Sequence, residues 1–199
     1  FLNPLPDPDQ KAFAEGKKGL YFSDIFIWEG NGKRPEMLLT APATDFNDVF
    51  IGVIAFEIDM APIYTLIQDV TGLGKTGETL IGRKSGNQVE FLNPLRHDPQ
   101  AALKRKVSLG DKSGYPIQQA VQGKTGAGIS IDYRGKKVIA AWRYIPSLDW
   151  GLVAKIDTDE AFVDVMNLQK LVAIVLFLIL VLAGLMAFSI ARSIAEPAR

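Results

Sequence analysis

The stretch GISIDYRGKKVIAAWRYIPSLDWGLVAKI, residues 128–156, contains three strand patterns in succession. The first, Gly128–Tyr133, alternates apolar and polar residues and stops at an Arg-Gly turn. The second is Lys137–Tyr144, and the third is Trp150–Ile156, which is entered through the turn sequence PSLD. Because connections this short join antiparallel neighbours, the stretch predicts an antiparallel meander of three strands.

Two more strands and two short helices are predicted upstream of the meander. Thr79–Arg83 and Gln88–Leu92 form a hairpin pattern around the turn residues KSGN. Pro99–Lys106 and Pro116–Gln122 are the helical candidates, and the second ends at a glycine. We therefore expect a mixed α+β unit whose helices lie on the crossover between hairpin and meander.

The first sixty residues show the closing strands of a similar unit. Met37–Ala41 and Val49–Ile58 are predicted strands, with Tyr21–Trp28 as their partner. Ala61–Val70 has apolar residues at helical spacing on one face, so it predicts a connecting helix. The opening strands of this first unit are expected to be missing or displaced.

A repeated pentapeptide supports two copies of one module. FLNPL occurs at residues 1–5 and again at residues 91–95. A GKR or GKK turn and a strand ending in Ile-Asp then follow each copy in the same order. Self-similarity of this kind indicates related structural modules, and we predict two of them.

Leu171–Ile190, LVAIVLFLILVLAGLMAFSI, contains no charged residue and no proline. Twenty helical residues span about 30 Å, the thickness of a bilayer core. Its 14 Leu, Ile, Val and Phe residues favour insertion by about 4–8 kcal/mol. A buried soluble helix would carry a polar stripe, so the segment predicts a transmembrane helix.

The charges that flank this helix predict its orientation. Acidic residues dominate before it, whereas Arg192 follows it. The positive-inside rule then places the C-terminus in the cytoplasm and residues 1–165 outside. A first transmembrane helix upstream of Phe1 is expected as the means of translocation.

Three short motifs resemble one family of bacterial sensors. GLGKTGET at residues 72–79 is similar to the turn that opens the membrane-proximal half of double-Cache domains, and GKTG at residues 123–126 with Trp150-Gly151 is also similar. ARSIAEP at residues 191–197 resembles the start of a HAMP linker. The resemblance covers about residues 15–199 and implies tandem PAS-like modules.

The fold class predicted from these features is α+β, with tandem PAS-like (Cache) modules, antiparallel sheets and one transmembrane helix. The predicted boundaries are a membrane-distal module at 1–60, a connecting helix at 61–71, a membrane-proximal module at 72–160, a juxtamembrane helix at 161–170, the transmembrane helix at 171–190 and the HAMP start at 191–199.

The resemblance also implies a function and a location. Double-Cache receptors lie in the bacterial inner membrane, are usually dimers, and bind small molecules in the distal module. A sensor histidine kinase is the first expectation for the whole protein, and a methyl-accepting chemotaxis receptor is the second. A third possibility is an ectodomain that binds a protein partner and no small molecule.

Ligand residues are sought among the polar and aromatic side chains predicted on the inner sheet faces. In the first module these are Tyr21, Ser23, Asp24 and Trp28, with Thr40 and Asp45 behind them. In the second they are Asp132, Tyr133, Trp142 and Arg143, beside Arg96, His97 and Tyr144. Arg143 would suit a carboxylate ligand, whereas Asp24 or Asp132 would suit an amine. Packing is the competing role for each aromatic residue.

Composition argues against several other classes of protein. The 22 basic and 22 acidic residues leave no net charge, which argues against a nucleic-acid binder. The chain has no cysteine and one histidine, His97, so thiolate metal sites and a cysteine nucleophile are excluded.

Neither Gly-Lys-Thr sequence completes a P-loop. Glu57 and Asp59 share a strand face, but we expect solvated rather than catalytic carboxylates. No enzyme activity, cofactor or metal is expected in these residues.

Overall fold

A computed structural model describes residues 7–28 and 34–195 of the chain. It divides into two compact units, Phe1–Asp157 and Thr158–Arg199. Helices and strands follow in the order α1 Asp7–Gly16, β1 Tyr21–Phe22, β2 Phe26–Trp28, β3 Arg34–Thr44, β4 Phe50–Asp59, α2 Met60–Ile67, β5 Glu78–Ser85, β6 Gln88–Phe91, β7 Lys106–Ser108, α3 Tyr115–Val121, β8 Gly126–Ile131, β9 Lys137–Ile145, β10 Trp150–Asp157, α4 Thr158–Ala161 and α5 Val163–Ala195.

The larger sheet of the first unit has six strands in the order β7-β6-β5-β10-β9-β8, and every pair is antiparallel. The predicted hairpin is β5–β6, and the predicted meander is β8–β9–β10. Val153 of β10 lies opposite Trp142 of β9 and Leu80 of β5, so the meander closes onto the hairpin. The structure confirms these five strands and adds β7, which the sequence did not predict.

One face of this sheet is covered by α3, the second predicted helix. Its residues Ile117, Ala120 and Val121 are buried against apolar side chains of the strands, including Phe91 and Val153. The approach is close, because a methyl group added to Gly151 would lie 2.7 Å from the Ala120 Cβ and 2.9 Å from the Val121 nitrogen. Glycine at this position therefore sets the distance between α3 and β10.

The helix predicted at Pro99–Lys106 is wrong. Residues 99–105 form turns that lead into β7. Phe91 at the end of β6 exchanges backbone hydrogen bonds with this segment, since Leu103 N donates to Phe91 O (2.8 Å) and Phe91 N donates to Arg105 O (3.0 Å). Leu103 also adopts a left-handed conformation with φ 58°, which interrupts any helix. Pairing with a distant strand overrides the local helical pattern.

The smaller sheet has four strands arranged around β3. β4 pairs with one edge of β3, while β1 and β2 pair with the other. The predicted partner Tyr21–Trp28 is thus two short strands. Between β1 and β2, Ser23 N donates to Leu38 O and Leu38 N donates to the Ser23 hydroxyl, each at 2.8 Å. The Ser23 side chain thus replaces a backbone acceptor in the hydrogen-bond ladder with β3.

A second apolar core joins the two sheets. Met37 of β3 and Met60 and Tyr64 of α2 pack with Ile81 of β5 and Trp150 of β10, and all are buried. The Tyr64 hydroxyl donates to Leu92 O at 2.5 Å, and burial raises the pKa of this phenol to about 12. α2 confirms the predicted connecting helix, although it begins at Met60 and ends at Ile67.

The second copy of FLNPL serves both cores of the first unit. Phe91 contributes to the core beneath α3, and Leu92 contributes to the core between the sheets. Asn93 is fully buried, and its side-chain oxygen accepts a hydrogen bond from Ile81 N at 2.8 Å. The first copy, residues 1–5, lies outside the described residues, so the repeat stays a prediction.

The second unit contains the predicted membrane segment. α5 has 33 residues, and its portion Val163–Arg192 is long and apolar enough to cross a membrane, with a mean hydropathy of 3.2 in its most apolar 18-residue window. Its large apolar side chains, such as Leu180 and Phe188, are exposed in the unit. A soluble helix with that surface would be unfavourable in water, and the finding agrees with the predicted span.

We expect Gly151→Ala to destabilise the first unit by about 1–3 kcal/mol, because the added methyl group overpacks the contact with α3. Gly128→Ala in β8 is the matched control, since a Cβ there meets no atom within 4 Å. Urea unfolding of the full chain in detergent, followed by tryptophan fluorescence, measures both. Equal unfolding midpoints for the two variants would contradict the close α3–β10 contact.

Candidate ligand pocket

A pocket of about 240 Å³ lies between α1 and one face of the four-stranded sheet. Its lining residues come from α1, β3 and β4 and are Ala12, Phe13, Leu38, Thr40, Val53, Ala55 and Glu57. Most of these side chains are apolar. A concave site with an apolar wall and few polar groups is typical of small-molecule binding.

Strand alternation explains why these residues meet on one face. Leu38 and Thr40 of β3 lie opposite Glu57 and Ala55 of β4, and side chains two residues apart share a face. Met37, next to Leu38, points the other way into the core between the sheets. β3 therefore forms the pocket with one face and the shared core with the other.

α1 is held over the sheet by one buried hydrogen bond and one close approach. The Thr40 hydroxyl donates to Ala12 O at 2.9 Å, and both residues are almost fully buried. A Cβ at Gly16 would lie 2.6 Å from the Thr40 Oγ1, so only glycine permits the helix to come this near. These contacts use the Thr40 hydroxyl and leave it no free proton to donate to a ligand.

Among the described residues that line the pocket, Glu57 is the single charged one. Its side chain is exposed, and it makes no hydrogen bond or ion pair with other described residues. On the same sheet face, Asp59 accepts a hydrogen bond from Ala61 N and caps α2. Glu57 thus keeps its full capacity to bind a cation or a hydrogen-bond donor.

The four candidates predicted in the first module have different surroundings. Tyr21 lies opposite Thr40 in the β1–β3 pair, so it shares the pocket face of the sheet. Ser23 is used in the ladder with Leu38, as described above. Asp24 forms an ion pair with Arg83 of β5 at 2.7 Å, and the side chain of Trp28 lies outside the described residues. Their roles as ligand contacts stay predictions.

Two of the candidates in the second module belong to a buried charge cluster. Lys155 of β10 contacts Glu78 at 2.8 Å and Asp132 at 2.7 Å, and all three side chains are at most 3% exposed. The Tyr133 hydroxyl donates to Glu78 at 2.7 Å, and Arg134 contacts Asp132 at 2.6 Å. Asp132 and Tyr133 are therefore bound to neighbouring side chains.

The cluster shifts the titration of its members. Burial disfavours the charged form of Asp132, but the hydrogen bond and charge of Lys155, with Arg134, outweigh it and lower its pKa. Burial, followed by the neighbouring Glu78 charge, raises the pKa of Tyr133. The carboxylate is held ionised and the phenol is held neutral.

A small cavity beside this cluster has a volume of only about 10 Å³. Its wall includes Phe91, Ile117, Asp132 and Lys155. This volume is about that of a single water-sized probe. The interior of the six-stranded sheet is thus filled by its own side chains, in contrast to the pocket beneath α1.

Trp142 and Arg143 lie on opposite faces of β9, as their adjacent positions predict. Trp142 is half-buried and makes an edge contact with Tyr115, with ring centres 6.0 Å apart. Arg143 is exposed beside Leu152 of β10. The structure does not bring Asp132, Trp142 and Arg143 together around one cavity of ligand size.

Sequence reasoning missed most of the pocket. Ala12, Phe13, Leu38, Val53 and Ala55 gave no signal, because apolar strand residues are normally assigned to a core. Glu57 was noted for its alternation with Asp59 but was interpreted as a solvated carboxylate. Among the described residues, no group of His, Asp and Glu side chains could hold a metal ion.

We expect Lys155→Met to destabilise the first unit by about 3–5 kcal/mol, because it leaves the buried Glu78 without its cation and Asp132 with Arg134 alone. Lys84→Met, near the exposed end of β5, should change the unfolding free energy by about 0.5 kcal/mol or less. Urea unfolding at neutral pH compares the two. Similar costs for both variants would contradict the buried position of Lys155.

The lowered pKa of Asp132 gives a pH dependence with a definite sign. Its ionised form stabilises the folded state above the ordinary carboxyl pKa, and this stabilisation is lost as the pH falls towards the lowered folded-state pKa. The stability difference between wild type and Asp132→Asn should therefore narrow as the pH is lowered from about 6 to about 3. Urea unfolding of both proteins across this pH range tests the prediction. A stability difference that stays constant would contradict the lowered pKa of Asp132.

Comparison with known proteins identifies the protein family of this chain. The family model described as "Cache domain" matches residues 5–165, and no curated protein shows significant sequence similarity to the chain. Three solved structures illustrate the similarity. The ligand-binding domain of Mlp24 with asparagine has a TM-score of 0.53 and 18% identity, covering 82% of this chain and 63% of that one.

The extracellular domain of mmHK1S-Z3, a protein classed as a histidine kinase, has a TM-score of 0.56 and 19% identity, with coverage of 83% and 60%. The ligand-binding domain of the Pseudomonas aeruginosa PAO1 amino acid chemoreceptor PctC, in complex with GABA, has a TM-score of 0.53 and 13% identity, with coverage of 78% and 66%. The chain spans less than two thirds of each of these structures. At sequence identities this low, the structural similarity supports a shared fold and nothing more. The match over residues 5–165 places this chain in the Cache domain family.

Proposed function

We propose that this chain is the extracytoplasmic sensing and transmembrane portion of a bacterial receptor. The observation that carries the proposal is the open pocket beneath α1, on the face of β3 opposite the core between the sheets. A small molecule bound there would contact Leu38 and Thr40 directly. The proposal assigns no catalytic activity to these residues.

Signal transmission would use the two faces of β3. A ligand that displaces β3 would disturb Met37, which packs in the same core as Trp150 at the start of β10. β10 ends at Asp157, and the chain continues from there into α4 and α5. Ligand binding would then shift the population of two arrangements of packed elements.

α5 and the family support the membrane arrangement that we propose. We place residues 1–165 outside the cytoplasm, α5 across the inner membrane and the C-terminus inside. Residues 191–199 would begin a HAMP linker, and the two sheets would correspond to tandem PAS-like modules. The receptor would act as a homodimer, as double-Cache receptors usually do.

The output of the whole protein has two candidates. A sensor histidine kinase is our first proposal, and a methyl-accepting chemotaxis receptor is the alternative. Structures of both kinds are among the similar proteins. Autophosphorylation of the full-length protein from ATP would support the kinase, whereas methylation of a long cytoplasmic coiled coil would support the chemoreceptor.

An ectodomain that binds a protein partner is a second possible function. β4 exposes Ile54 and Phe56 on the face opposite the pocket, and the two residues are 50% and 62% exposed. Exposed apolar residues of this size are typical of interaction surfaces. If this were the function, substitutions of these two residues would abolish signalling and pocket substitutions would not.

We expect Ala55→Phe to fill the pocket and weaken binding of any ligand there by at least about tenfold, or about 1.4 kcal/mol. Ile54→Phe is the matched control, because it adds a ring on the other face of the same strand. Thermal stabilisation of the full chain in nanodiscs by amino acids, organic acids and amines measures the effect. A ligand that stabilises both variants and wild type equally would place its site elsewhere.

A further inference from the structure

We propose that the pocket beneath α1 selects a protonated amine with a short apolar body, and that Glu57 binds its ammonium group. This inference rests on the proposed function and adds the chemical class of the ligand. Of the lining residues that the structure describes, Glu57 alone is charged, and its charge is negative.

The other polar group in the pocket does not compete for this role. The Thr40 hydroxyl donates its one hydrogen bond to Ala12 O at 2.9 Å, so it can only accept a further hydrogen bond. Glu57 can also only accept when it is ionised. Both polar groups can therefore bind only a hydrogen-bond donor, and an ammonium group carries three N–H donors.

The electrostatic potential at the pocket also favours a cation. Glu36 lies directly opposite Asp59 in the β3–β4 pair, and Glu57 is two residues before Asp59. These acidic side chains share the sheet face of the pocket, because alternate residues and directly opposed residues point the same way. Arg34 of β3 lies on the same face by this alternation, so three acidic residues and one basic residue occupy it. Their summed potential favours a cation and disfavours a carboxylate in the site.

The rest of the lining suits the body of such a ligand. Phe13, Leu38, Val53 and Ala55 offer apolar surface, and a pocket of about 240 Å³ is smaller than the roughly 300–1,000 Å³ typical of drug-sized ligands. The Phe13 ring already attracts one cation, since the Lys17 ammonium lies 4.5 Å from its centre. Lys17 does not line the pocket, and the carboxylate probe below tests whether it recruits an anion.

The test uses three probes of one length, namely butylamine, butyrate and butanol, with the full chain in nanodiscs. Isothermal titration should show that wild type binds butylamine at least about tenfold more tightly than butyrate or butanol, or by about 1.4 kcal/mol. Glu57→Gln should remove this preference while it leaves the weak binding of butanol unchanged. Glu57→Lys should reverse the preference in favour of butyrate.

Glu15→Gln is the matched control, because it makes the same acid-to-amide change on α1, where Glu15 pairs with Lys18. It should bind butylamine as wild type does. Melting temperatures of all variants confirm that each is folded, which we expect because Glu57 is exposed.

The possible failures are distinguishable. If butyrate or butanol binds wild type as tightly as butylamine, or if Glu57→Gln binds butylamine normally, the amine inference is overturned and the pocket remains a ligand site. If none of the three probes binds wild type but another small molecule does, and Ala55→Phe blocks it, the inference is again overturned and the sensor proposal stands. If no small molecule of a broad panel binds wild type, both fall.

Discussion

Burial of apolar surface between the two sheets is the interaction on which the rest of the first unit depends. Met60 and Leu92 are completely buried there, and Met37, Ile81 and Trp150 are nearly so. Each buried side chain of this size contributes about 1.5–3 kcal/mol. A four-stranded sheet with one short helix is too small to bury an adequate core alone, so it depends on the six-stranded sheet for its own stability.

This dependence has a consequence for the pocket. The elements that line it cannot move independently of the shared core, because Leu38 and Met37 are neighbours on one strand. Protein interiors are packed as densely as organic crystals, so a shift of β3 must be taken up by Met60, Tyr64 or Trp150. Tyr64 adds a directional constraint, since its hydroxyl donates to Leu92 O at 2.5 Å.

Sequence periodicity predicted the parts of the fold that are decided locally. The meander strands were found because their alternation and turns lie within 30 residues of one another. The predicted helix at Pro99–Lys106 failed because its backbone pairs with Phe91, a contact that no local pattern reports. The Lys155 cluster was missed for a similar reason, since the β5–β10 register places Lys155 opposite Glu78, and Asp132 comes from the turn after β8.

The candidate site could be predicted only in part, because its contacts also depend on strand register. Asp132 and Tyr133 had the residue types of a ligand site, yet their polar atoms are bound by Lys155, Arg134 and Glu78. A carboxylate of this kind gains nothing from a cationic ligand, because its protein cations already satisfy it. Recognising which carboxylates are compensated requires the strand register, which single-strand patterns do not contain.

Glu57 and Asp132 are thus two carboxylates with opposite capacities. The charge of Asp132 is neutralised inside a filled interior, where it contributes to stability and resists exchange for a ligand. Glu57 forms no ion pair with a residue of the described chain and lies beside a cavity that is open to solvent, so a ligand can supply a cation at little desolvation cost. Under the proposed function, the six-stranded sheet would supply rigidity and the four-stranded sheet would bind the ligand.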